Sequence, residues 1–160
     1  MSFLKIIFLD IDGVLNCKTT KEKCMSFMGV DDRLMKNLQQ IVKKTKARIV
    51  LVSSWRLYWE KYYKDDQDFM GTYLDKKFSK YGLYILDKTD PYELFERGEG
   101  IWDWLKDKYV ETFVIFDDEK HDYEKVGLSK HWIQTYNEDN GGITSADVKR
   151  AIEMLNEPSV

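Results

Sequence analysis

At 160 residues the chain is long enough for one domain with a substantial core, and 43% hydrophobic against 33% charged residues is the balance of a globular protein. A net charge of −3 gives no basic footprint for duplex nucleic acid, and no apolar run approaches the ~20 residues that span a bilayer. The N-terminus lacks a basic, cleavable leader, so the protein is expected in the cytoplasm, with Cys17 and Cys24 as reduced thiols.

The apolar stretch from Phe3 to Leu9 predicts a buried strand ending in Asp10, followed by Asp12 and the turn residue Gly13. Residues 16–30 read as a flap over a cleft or an ordinary loop. Asp31 or Asp32 can cap a helix to about Thr45, with Leu34, Leu38, Ile41 and Val42 on its apolar face. ARIVLV, residues 47–52, predicts a second buried strand closing at Ser53 and Ser54. Residues 55–81 read as an aromatic helical region interrupted near 65–68 and Gly71, enough for a small cover but not a second domain. LYIL, residues 83–86, predicts a third strand, and residues 98–109 a helix with Ile101, Trp104 and Leu105 inward. TFVIF, residues 112–116, predicts a fourth strand ending in Asp117 and Asp118, and WIQTY, residues 132–136, a fifth. Thr144 with Asp147 starts a last helix, to about Asn156, in the manner of a capping box.

This alternation predicts a single α/β domain over residues 1–160: a Rossmann-like three-layer sandwich with a mostly parallel five-stranded sheet and no large cap domain. Ligands of such sheets bind beyond the carboxyl ends of the strands, near the switch point. Asp10, Ser53, Asp117 and Asp118 all fall on that edge. D-x-D-G alone would arise by chance about one time in ten in a chain this rich in Asp. An Asp-rich turn accounts for the four letters, but not for three polar clusters on one edge.

The residue types suggest phosphoryl chemistry. Asp10 can attack the phosphorus of a phosphomonoester, since an unperturbed aspartate, with a pKa of about 3.9, is ionised at neutral pH. Asp12 can protonate the leaving oxygen and then deprotonate the attacking water. A Mg²⁺ ion held by Asp10 and a strand-four acid would offset the crowding of carboxylates, and Ser53 can bond a phosphoryl oxygen.

DIDGV, a strand ending in Ser and a later strand ending in DD together resemble the haloacid dehalogenase (HAD) superfamily of phosphohydrolases, over residues 3 to about 155. LVSSWR with RGEGIWDWL also resembles a subgroup found in RNA-repair proteins. The resemblance implies a Mg²⁺-dependent phosphatase with Asp10 as nucleophile, Asp12 as acid/base and, through its carbonyl, a metal contact. It implies phosphate binding at Ser53, beside Ser54. In FDDEKHD, Asp118 and Asp122 have the spacing of the family's metal-binding acids, with Asp117 just before them. Where the family carries a Lys, this chain offers Arg97, preferred here over Lys88; a guanidinium can pair with phosphate through two bonds.

The expected partner is a phosphorylated substrate, a small ester or a nucleic-acid end, with hydrolysis or phosphotransfer both open. A receiver-like signalling module, or a phosphate- and Mg²⁺-binding protein without catalysis, is the rival class. Trp55, Tyr58, Trp59, Tyr62 and Tyr63 either pack on the sheet or stack on a base; Arg56 either reaches substrate or makes a structural pair. His121 lies in the acidic loop.

Overall fold

A computed structural model of the chain describes residues 3–90 and 96–157. In chain order these form β1 (Leu4–Leu9), the hairpin β2 (Lys23–Cys24) and β3 (Phe27–Met28), α1 (Asp32–Thr45), β4 (Arg48–Leu51), α2 (Phe69–Lys80), β5 (Ile85–Lys88), α3 (Arg97–Leu105), β6 (Val110–Asp117), β7 (Trp132–Gln134) and α4 (Ser145–Asn156). The main sheet has five strands in the order β5-β4-β1-β6-β7, and every pairing in it is parallel.

β1 explains the layering. Its side chains alternate between the two faces. Ile7 and Leu9 pack with Leu34, Leu38 and Ile41 of α1, Leu74 and Phe78 of α2, and Ala151 and Leu155 of α4. Ile6 and Phe8 pack on the other face with Ile101 and Trp104 of α3, and with Tyr123 and Leu128. Both faces are covered, which is why the strands read as unbroken apolar runs rather than as alternating ones. The result is an α/β Rossmann-like sandwich without a large cap. Among the described residues no helix is long and apolar enough to cross a membrane.

The chain leaves β1 for β4 and β5 on one side, then returns to β6 on the other. Main-sheet strands taken in sequence order thus run 3-2-1-4-5, the arrangement that opens a crevice between β1 and β6 at their carboxyl ends.

Local signals hold where a side chain can be seen to act. Asp31 is the cap of α1, accepting from the Arg33 amide, and Thr144 and Asp147 form a reciprocal capping box at α4. Boundaries differ where tertiary contacts decide. Region 55–81 is helical only as short 3₁₀ turns at Ser54–Leu57 and Lys64–Asp66 before α2 begins, capped by Asp68. Gly71 lies within α2 rather than breaking it; a Cβ there would lie 2.1 Å from the Tyr58 carbonyl oxygen. The third sheet strand starts at Ile85 rather than residue 83, after a turn in which the Leu83 amide bonds to Phe78 O. Helix α3 ends at Leu105 rather than 109, β6 begins early at Val110, and β7 stops at Gln134. Residues 16–30 contain the small β2–β3 hairpin. Both cysteines are buried free thiols.

Candidate functional site

The last residues of β1 and β6 are hydrogen-bonded neighbours. Leu9 pairs with Phe116, and the Asp10 amide donates to the Phe116 carbonyl at 3.0 Å, which sets Asp10 beside Asp117. On the other flank the Val52 amide donates to Leu9 O, so Ser53 follows β4 at the same edge. Asp10, Asp117 and Asp118 bring carboxylate oxygens within 4.8 Å of one another. Gly13 permits this closeness: its φ is +82°, and it lies directly against the Asp118 carboxylate.

Arg97, the first residue of α3, closes the group. One terminal nitrogen lies 2.8 Å from Asp117 Oδ2 and 3.3 Å from Asp10 Oδ1. Burial disfavours its charge, but Asp10 and Asp117 outweigh burial and keep the guanidinium ionised. Lys88 is elsewhere. Its ammonium donates to the carbonyls of Arg56 and Trp59, holding the 3₁₀ segment after Ser53.

The three acids are not equivalent. Burial, and then the charge of Asp117, push the Asp10 carboxyl well above the usual carboxylate range, despite Arg97. Burial thus works against the charge of Asp10, and positive charge beyond that of Arg97 would offset it. Burial also opposes ionisation of Asp117, yet hydrogen bonds from His121 and Tyr123 and the Arg97 charge hold its carboxyl below that range. Tyr123 donates its hydroxyl to Asp117 at 2.6 Å, and His121 Nε2 lies 3.4 Å away. The Asp118 carboxyl is raised by burial and by Asp117, against a hydrogen bond with Asp10. A cluster of hard oxygen donors in which negative charge is this crowded suits a divalent cation.

The remaining expected residues occupy varied positions. Asp12 points to the surface, its carboxylate accepting from Asn16 Nδ2 at 2.9 Å and from the Trp55 indole nitrogen at 3.2 Å. Ser53 is buried and its hydroxyl accepts from the Trp55 amide at 3.2 Å, while Ser54 is exposed at the start of the turn. Asp122 lies outside the trio of Asp10, Asp117 and Asp118, in a second acidic group with Glu96 and Glu99 whose carboxylate oxygens also come within 4.8 Å of one another. Its two oxygens accept from the amides of Gly98 and Glu99, at 2.6 and 3.1 Å, and so cap α3 and hold Arg97 in place. Arg56 bonds to Ser53 O, Thr89 Oγ1 and Asp90 O, tying the Ser53 turn to the end of β5. Asn16 and the indole of Trp55 were not anticipated. Asn16 opens the segment whose sequence fits a flap or a loop equally well, and Trp55 belongs to the aromatic run.

Comparison with protein families matches residues 6–148 to the HAD domain in Swiss Army Knife RNA repair proteins. The chain belongs to this family. Membership supports a function of the phosphohydrolase type, and it covers every residue of the site just described. No curated protein matches the sequence. In this HAD domain the acids come from the ends of two adjacent strands, and the basic group from the N-terminus of the helix between β5 and β6.

Proposed function

We propose that this HAD domain is a Mg²⁺-dependent phosphomonoester hydrolase that works through a phosphorylated Asp10. The observation that carries the reading is Arg97 bridging Asp10 and Asp117, at 3.3 and 2.8 Å, beside the oxygen cluster completed by Asp118. An Asp10 oxygen forms a bond to phosphorus while the ester P–O bond breaks, and Asp12 gives its proton to the leaving oxygen. Asp12 then takes a proton from water as the water oxygen attacks phosphorus; the Asp10–phosphorus bond breaks and inorganic phosphate leaves. Arg97 pairs with the phosphoryl oxygens, and the hydroxyls of Ser53 and Ser54 donate to them. Mg²⁺ held by Asp10, Asp117, Asp118 and the Asp12 carbonyl would offset carboxylate repulsion and the charge of the phosphoryl group.

A phosphorylated nucleic-acid end is the substrate we favour. The absence of a large cap supports it, as do the exposed rings of Tyr62 and Tyr63 on the segment after Ser53. The family's description, a domain of RNA repair proteins, points the same way. Oligonucleotides with a terminal phosphate, and small phosphate esters, would be offered with and without Mg²⁺ to the wild type and to Asp10→Asn. Expected is Mg²⁺-dependent phosphate release from the oligonucleotides, reduced about a thousandfold or more in the variant. Release unchanged in Asp10→Asn would overturn the mechanism; strict preference for one small ester would overturn the substrate.

A further inference from the structure

Asp12 is held from two sides by groups that the phosphoryl chemistry itself does not require. Asn16 Nδ2 donates to Asp12 Oδ1 at 2.9 Å, and the Trp55 indole N–H donates to Asp12 Oδ2 at 3.2 Å. The Asn16 amide has its orientation set independently. Its oxygen accepts from the Gly13 amide at 2.9 Å, and its nitrogen also donates to Gly29 O at 3.0 Å, so a flipped amide would lose all of these bonds. Trp55 is equally fixed. It is 3% exposed, its amide bonds to the Ser53 hydroxyl, and its ring packs against Tyr73 with centroids 6.3 Å apart.

The two anchors converge. Asn16 reaches Gly29 O, and Tyr73, against which Trp55 packs, accepts from the Val30 amide at 2.9 Å. One short stretch of backbone therefore supports both donors. Asp12 is exposed, and an exposed aspartate left to itself samples several rotamers. Here one carboxylate orientation is selected, with lone pairs on both oxygens already directed at fixed N–H groups.

We propose that Trp55 and Asn16 are positioning residues for Asp12, orienting it for proton delivery to leaving groups too basic to depart unprotonated. The proposal rests on the phosphatase reading above. It defines a substrate class: esters of alcohols, such as sugar hydroxyls, gain from the arrangement, whereas a nitrophenolate leaves without a proton and gains little.

The test compares kcat/KM for an alkyl phosphate and for 4-nitrophenyl phosphate in the wild type, Trp55→Phe and Asn16→Ala. This parameter stops at release of the leaving group, so the later role of Asp12 towards water does not enter. Each variant should lose about tenfold or more on the alkyl ester and less than about threefold on the nitrophenyl ester. Equal losses on both esters, or none, would overturn the proposal. Where the wild type acts only on oligonucleotides with a terminal phosphate, these serve as the alkyl ester. Wild-type protein inert towards them and towards both small esters would refute the phosphatase reading, and this proposal with it.

A second readout needs no turnover and covers the case of a variant that does not fold. In the wild type the chain has five indole N–H resonances. Asp12→Asn should shift that of Trp55 more than the other four. An unmoved Trp55 signal would show that the bond to Asp12 is absent in solution.

Discussion

Gly13 carries two constraints at one atom: φ of +82°, and a position where a Cβ would lie 2.4 Å from Asp118 Oδ2. Gly13→Ala should therefore displace Asp118 and cost about 1–2 kcal/mol from the left-handed backbone alone. Calorimetric Mg²⁺ titration of the variant should show affinity lowered about tenfold or more; wild-type affinity would separate Gly13 from the cluster. Asp118 and Asp122 provide a sharper contrast. Sequence spacing presents them as equivalent acids, but Asp118 sits with Asp10 and Asp117, while Asp122 bonds to the first amides of α3. Asp118→Asn is predicted to weaken Mg²⁺ binding about tenfold or more, with Asp122→Asn leaving it within about threefold but lowering the melting temperature. The reverse order in a titration would make Asp122 the ligand. DIDGV and the paired Asp117–Asp118 were legible because they fall with Ser53 on one sheet edge, which a lone acidic turn does not predict. The bonds of Asp122 to the α3 amides were not legible: a carboxylate four residues on serves a metal or a helix terminus equally well.

At the scale of elements, α1 and α4 were legible through their caps, and strand ends were not. Asp31, Thr144 and Asp147 act on amides two or three residues away, so the sequence interval contains the whole interaction. Asp68, the cap of α2, reads in sequence only as part of an interruption. The ends of β5, β6 and β7 depend on partners far along the chain: Thr135, just past β7, donates its hydroxyl to Gly13 O at 2.7 Å. In the aromatic run 55–63 the chain makes a 3₁₀ turn rather than a longer helix, while Trp55 and Trp59 pack in the core and bond through their indoles to Asp12 and Asp75. Another long-range contact ties α1 to the residue after α2, where the Tyr81 hydroxyl bonds to Asp32, which Lys77 and Lys80 also face. Burial, then the Asp32 carboxylate, raise the Tyr81 pKa to about 12. A folded-state pKa above the unfolded value of about 10 means that Tyr81 stabilises the fold fully below pH 10 and loses that contribution as pH rises towards 12. Asp32 is shifted the other way, first by Tyr81, so its contribution is present above about pH 4 and is lost as pH falls. Tyr81→Phe should lower stability by about 1 kcal/mol or less, given the partial exposure of Asp32, and flatten the decline between pH 10 and 12. Urea denaturation across that range would check it; parallel wild-type and variant curves would contradict it.

The whole molecule brings together residues that sequence distance separates by more than a hundred positions. Parallel pairing of β1 with β6 sets Asp10 beside Asp117, and the crossover through α3 supplies Arg97 between them. That edge was legible because parallel sheets bind at the carboxyl ends of their strands, and the chain advertises those ends with Asp10, Ser53 and Asp117. The support behind it was not. Asn16 and Trp55 hold Asp12 through contacts that no local pattern announces. Covalent chemistry at Asp10 is the most direct consequence of the proposed function. Wild-type protein mixed with Mg²⁺ and a radiolabelled phosphate ester, then quenched in acid within milliseconds, should carry label that is discharged by hydroxylamine and absent from Asp10→Asn. Label persisting in Asp10→Asn, or label trapped in the wild type on a residue other than Asp10, would contradict an aspartyl-phosphate at this site.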